Sequence, residues 1–244
     1  MLAGSRVAVV VPAFQEEAHV AGVIDSMPSF VDAIVLVDDA STDRTSERAL
    51  AVGDPRLTIV RHERRSGVGA ALTTGYRTAL SSGSRPTDAF CVMAGDGQMA
   101  PDDLERVALP IVRGVADYVK GTRFGDAQVK SSMGLPRFIG GQVFSALTAF
   151  AVGQPISDSQ CGFTALSRSA LDALDLDGLW PGFGYPNDLL GQLAARRLRI
   201  TEVPVRPIYG TETSKLRLRH LPPIFFLIGR AAVRRRRRQP AREP

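Results

Sequence analysis

Short apolar runs recur along the first half of the chain, at residues 7–11, 33–37, 57–60 and 89–93, each followed by a polar segment. Between them the spacing of apolar positions predicts helices over 17–27, 45–51, 70–81 and 101–113. Strands this short, alternating with helices, imply βαβ crossovers and a mostly parallel sheet buried on both faces. In such a sheet ligands bind beyond the carboxyl ends of the strands, so chemistry is expected in the loops that follow each run. The second half is less regular. A long apolar helix is expected from 136 to about 152, another helix over 187–197 and a late strand over 199–205, after which the chain turns basic and apolar.

The polar loops bear this out in their residue types. The first run ends in Pro12, Phe14, Glu16 and Glu17. Pro12 is expected to stop the ladder, Phe14 offers a flat face, and Glu16 or Glu17 can accept hydrogen bonds from a ribose or base. The second run ends in Asp38 and Asp39, which are costly at a strand end unless they meet donors, a cation or water. Ser41 or Asp43 suffices to cap the next helix, so capping leaves that pair unexplained. After the third run, Arg65 precedes Gly67 and Gly69, a weak phosphate-cradle signal that equally suits tight helix packing. The fourth run ends in Asp96 between two glycines, with Gln98 two residues on. A carboxylate stripped of bulky neighbours suits a hard cation shared with substrate phosphates.

Composition narrows the classes. The chain has 244 residues, 44% of them apolar, which suits one α/β domain with a short appendage. No apolar run reaches the roughly 18–20 residues that cross a bilayer, and the amino terminus lacks the pattern of a cleaved signal. Cys91 and Cys161 lie in apolar settings and are expected to be reduced core residues of a cytoplasmic protein. The net charge of +5 equals the five arginines at 234–238. A basic tail on a balanced body argues against a nucleic-acid-binding face and for a local patch that meets an anionic surface.

The four loops in this order resemble those of glycosyltransferase family 2, which has the GT-A fold, and most of all its dolichyl-phosphate (polyprenyl-phosphate) mannosyltransferase-like branch. The likeness continues through DYVKGTRF (117–124), LPRF (135–138), DSQCGF (158–163) and GYPND (184–188). It implies a Rossmann-like α/β domain over residues 1–215 and a basic, apolar tail over 216–244. It implies an inverting transfer of a sugar from a nucleotide diphosphate donor, GDP-mannose or a UDP-sugar, with Mg2+ or Mn2+. On that resemblance Pro12, Phe14, Glu16 and Asp39 hold the nucleoside, with Arg65, Ser214 and Lys215 near the phosphates. Asp96 and Gln98 hold the metal, and Arg123 and Arg137 hold the acceptor phosphate. The implied acceptor is a polyprenyl phosphate, and the implied location is the inner face of the cell membrane, reached through the tail. A soluble or secondary-metabolite acceptor is the alternative, and it would need Asp158 or Asp188 as a base. A catalytically weak nucleotide-sugar-binding or membrane-adaptor protein is a third reading. The chain departs from the family pattern at Ala94, where relatives carry an aspartate, at Tyr209 in place of an arginine, and at Pro186 in place of an acidic residue.

Overall fold

The computed structural model describes residues 1–81, 88–124, 135–208 and 221–237; the side chains of 135–137 and 237 fall outside that description. Seven strands form one sheet: β1 (Val7–Ala13), β2 (Ala33–Asp38), β3 (Leu57–Arg61), β4 (Ala89–Val92), β5 (Tyr118–Thr122), β6 (Thr164–Ser167) and β7 (Ile200–Pro204), in the order β3-β2-β1-β4-β6-β5-β7. The first four strands are parallel, and β6 is inserted antiparallel between β4 and β5. The expectation of a mostly parallel sheet therefore holds.

The helices are α1 (Val20–Asp25), α2 (Thr45–Leu50), α3 (Val68–Ser81), α4 (Leu104–Val112), α5 (Leu135–Val152), α6 (Arg168–Ala173), α7 (Tyr185–Ala195) and α8 (Leu221–Arg237). A 3-10 turn, Pro101–Asp103, leads into α4. Alternate residues of each strand feed opposite cores, as the period of two requires. Val7, Val9, Val11, Ile34, Leu36 and Cys91 pack under α1, α2 and α4. Ala8, Val10, Val35, Val37 and Phe90 pack under α3, α7 and α8. Cys91 and Cys161 are buried free thiols, and burial pushes the Cys91 pKa up to about 12.

Two local expectations change. Pro12 does not end β1: it stays in the parallel register opposite Val37, and its carbonyl accepts from the Gly95 N–H at 3.1 Å. Its missing N–H is tolerated because that edge faces β4, which has already ended at Val92. The described part of the expected tail, α8, packs on the body instead of hanging from it, and Pro222 and Pro223 open that helix. They sit in the first turn of α8, where a proline's absent N–H costs nothing. Ile224, Leu227, Ile228 and Ala231 of that helix are buried.

Candidate active site

The ends of β1, β2 and β4 meet at the carboxyl edge of the sheet, and each delivers its loop there. Asp39 follows β2 and is buried. Its Oδ1 accepts from the Ser66 N–H and its Oδ2 from the Gly67 N–H, each at 2.7 Å, and His62 Nδ1 lies 2.8 Å from Oδ1. The carboxylate thus draws the loop after β3 across the strand ends. Arg65 is left with its guanidinium carbon 3.9 Å from the centroid of the Phe14 ring, a cation–π stack over the end of β1. Asp38 beside it is spent on the turn, accepting from the Ser41 N–H at 2.8 Å and from Ser46 Oγ at 2.5 Å. Glu16 is buried, with Oε2 3.3 Å from His19 Nδ1.

Gly67 and Gly69 leave no open cradle. The Pro181 carbonyl accepts from the Gly69 N–H at 2.7 Å, and a Cβ on Gly69 would sit 2.0 Å from the Trp180 carbonyl oxygen. The N–H groups that a phosphate would need at the start of α3 already face a protein carbonyl. Close helix–loop packing is what these glycines permit.

The turn after β4 is tied to β1 through Gly95, and Gly97 turns it in the left-handed region at φ +72°. Asp96 is half-buried there, and its Oδ1 accepts from the Gln98 N–H at 3.1 Å. Among the described residues no three His, Cys, Asp or Glu side chains are grouped to hold an ion. The described residues alone make no cage at Asp96, so a cation there would need oxygens from a bound ligand.

Across the sheet, Arg123 follows β5. Its Nε and Nη2 donate to Asp158 Oδ2 and Oδ1 at 2.7 and 2.9 Å, a bidentate pair. The Asp158 carboxyl also accepts from the backbone N–H of Arg123 and of Cys161, at 3.2 and 3.1 Å. Burial is the largest influence on this carboxyl and raises its pKa. The hydrogen bonds and charge of Arg123, with the Lys120 ammonium behind, outweigh burial and hold it below the ordinary carboxylate range. Arg137 stands in the first turn of α5, its side chain outside the described residues, as are Ser214 and Lys215. Asp188 lies elsewhere, under α8, with Arg230 Nη2 and Arg234 Nη1 each 2.5 Å from its Oδ1. The Arg234 contact is an aligned hydrogen bond, whereas the Arg230 contact is an ion pair without that alignment.

The Asp96 turn after β4, the Phe14–Arg65 stack at the end of β1 and the Arg123–Asp158 pair after β5 share one sheet edge. The profile of "Glycosyl transferase family 2" matches residues 8–175. The chain belongs to that family. Its relatives include the UDP-N-acetylglucosamine–dolichyl-phosphate N-acetylglucosaminyltransferase of Methanococcus voltae, 29% identical over 88% of this chain and 90% of the relative. The undecaprenyl-phosphate mannosyltransferase of Micrococcus luteus is 29% identical over 82% of each chain. The solved structure of glucosyl-3-phosphoglycerate synthase from Mycobacterium tuberculosis, with Mn2+ and UDP-glucose, superposes with a TM-score of 0.67. That match covers 96% of this chain and 79% of the other at 24% identity, and it shows the GT-A fold.

Three features of this family 2 glycosyltransferase are not legible in its motifs. Lys120 is fully buried in β5 and donates from Nζ to the Cys161 carbonyl at 2.6 Å. Burial lowers its pKa. It anchors the loop that carries Asp158. A lone lysine inside an otherwise apolar and small-residue strand was the available signal. The Pro181 carbonyl cap comes from main chain, which leaves no mark in residue type. The Asp188–Arg230–Arg234 cluster joins segments more than 40 residues apart, beyond any local spacing rule.

Proposed function

We propose that this chain moves a sugar from a nucleoside diphosphate donor, GDP-mannose or a UDP-sugar, to the phosphate of a polyprenyl-phosphate-type lipid, with inversion at the anomeric carbon. The observation that carries this reading is the engagement of Asp158 by Arg123. A hydroxyl acceptor needs a base with a pKa near the working pH. Asp158 is held below the carboxylate range, and Asp188 is covered by two arginines, so both candidates are poorly suited to that task. A phosphate monoester is already an anion near neutral pH and needs only positioning. The names of the Methanococcus and Micrococcus relatives support the same acceptor class.

In this reading the Phe14–Arg65 stack takes the flat nucleoside and its phosphates at the end of β1, with Pro12, Glu16 and Asp39 shaping the loop beneath. Asp96, with Gln98, would hold Mg2+ or Mn2+, which when bound neutralises charge on the departing diphosphate. Ser214 and Lys215, outside the described residues, are assigned to the same phosphates by the family resemblance alone. Arg123 and Arg137 orient the acceptor phosphate, and Asp158 fixes the angle of the Arg123 fork. The enzyme works from the cytoplasmic side as a peripheral protein, with its basic tail near anionic lipid. Among the described residues no helix is long and apolar enough to cross a membrane.

The test is transfer of labelled sugar from a panel of nucleotide sugars, with and without polyprenyl phosphate. Asp96→Asn is expected to lower turnover by about 10²–10³-fold or more while leaving the thermal melt unchanged. Near-normal turnover of Asp96→Asn would remove the metal assignment. Product formed on soluble alcohols but not on prenyl phosphates would remove the acceptor assignment.

A further inference from the structure

Helix α5 buries two hydroxyls beside its apolar core residues and leaves an apolar stripe exposed. Its buried side carries Ser145 and Thr148, 3% and 1% exposed, while Ile139 and Val143 are 52% exposed and Phe150 is 80% exposed. The hydroxyls are satisfied within the protein: Ser145 Oγ accepts from the Ser159 N–H at 2.9 Å, and Thr148 Oγ1 donates to Asn187 Oδ1 at 2.8 Å. Ile139, Val143, Leu147 and Phe150 follow the i, i+4, i+8, i+11 spacing of a single helical stripe, about 16 Å long. A face with this order of polar and apolar residues is arranged for a solvent other than water.

Helix α8 extends that face. The Phe144 and Phe225 rings lie 5.2 Å apart, and Arg235 Nη1 donates to the Phe150 carbonyl at 3.0 Å. These contacts set the helices side by side in the same direction. The outward residues of α8 include Phe225, Phe226 and Val233, then Arg236. Neither helix contains an Asp or Glu, and the run of arginines begins where the apolar stripe ends. At its other end the face reaches the active site. The Phe138 ring packs edge-on against Phe124 at 5.2 Å, next to Arg123.

The geometry points to the joint face of α5 and α8 as the surface that docks this protein on an anionic lipid bilayer. The apolar stripe enters the interface and Arg236, exposed at its end, lies among the headgroups, while Arg234 is held inward on Asp188. Only the outer side of α8 takes part, because its Ile224, Leu227 and Ile228 are spent on the core. A second copy presenting the same face would bring no carboxylate to meet the arginines, whereas anionic lipid does. This deepens the lipid-phosphate reading and rests on it for the reason such a surface is needed, since the stripe leads a lipid-borne phosphate toward Arg123.

The experiment is co-sedimentation of the full chain with phosphatidylglycerol/phosphatidylcholine vesicles and with pure phosphatidylcholine vesicles, at low and high salt. Wild type is expected to pellet with the anionic vesicles and to release as salt rises. Val143→Asp/Phe150→Asp changes two exposed positions and is expected to lower that partition about tenfold or more with an unchanged melt. Transfer to a water-soluble short-chain prenyl phosphate should stay at the wild-type rate. Wild-type vesicle binding by the double variant, or absence of binding by wild type, overturns the docking face. So does a wild-type dimer that the double variant dissolves. If vesicle binding responds as expected but no prenyl phosphate is ever a substrate, the docking face stands and the lipid-acceptor reading falls.

Discussion

Asp158 ties the end of β5 to the loop that precedes β6. It accepts two guanidinium N–H groups and several backbone N–H groups while almost completely buried. Its partner Arg123 is also largely covered, so removing the charge takes away the carboxylate half of a buried bidentate pair. Asp158→Asn is expected to destabilise the fold by about 3 kcal/mol. The pH dependence has a definite sign. The folded-state pKa is lowered, so the carboxylate contributes stability that is present above its unfolded value of about 3.9 and is lost as pH falls through the lower folded value. Urea denaturation should show a wild-type advantage that is constant near neutrality and narrows below about pH 4; an advantage that widens in acid would contradict this assignment. At this scale the sequence discloses residues whose own neighbours betray them. Asp96 stands between glycines at a strand end and is readable. The Arg123–Asp158 pair spans 35 positions, and its two members read as separate candidates until the chain folds.

The loop after β2 shows how an element can carry a small cost for the shape it needs. Ala40 sits at φ +61°, a left-handed conformation that costs a residue with a Cβ about 1–2 kcal/mol. The turn is nevertheless held, because Asp38 accepts from Ser41 and the Gln15 side chain accepts from the Thr42 N–H at 3.1 Å. Ala40→Gly removes the Cβ conflict and adds some unfolded-state entropy, so a net gain of about 0.5–1 kcal/mol is expected. A melting temperature lowered by that change would show that the alanine methyl packs usefully. Among elements, β1 to β4 are readable because each is a continuous apolar run between polar loops. Strand β5 is not, since Lys120 and Gly121 interrupt it, and β6 has only four residues. Both become strands through pairing with each other and with β4 and β7, a tertiary cause that no local window contains.

The whole molecule closes through α8. Pro222, Pro223 and the arginine run give residues 216–244 the look of an appendage, yet the helix buries Ile224, Leu227 and Ile228 against the body. At about 1.5–3 kcal/mol for each such side chain, the helix contributes roughly 5 kcal/mol or more of gross burial. That is comparable with the net stability of an entire domain, about 5–15 kcal/mol. A chain ended at residue 220 is therefore expected to lose most of its cooperative thermal transition as followed by circular dichroism. A truncated chain that melts like the full one would show that this packing is dispensable. The tail was hard to read because one helix serves two surroundings. Its apolar residues divide between core and exterior, and Arg230 and Arg234 turn inward to Asp188 while Arg236 turns out. A sequence shows the apolar and basic content of such a segment but not the rotation that assigns each side chain.

The carbonyl of Pro181 at the mouth of α3 also sets an order of events during synthesis. The start of that helix is completed by a residue made more than a hundred positions after Gly69. At about 5–20 residues per second, the nascent helix waits roughly 5–20 s for its stopper to leave the ribosome. Over that interval the strands already made hold an unsealed helix end, and the first half of the chain reaches its mature form only when the second half arrives.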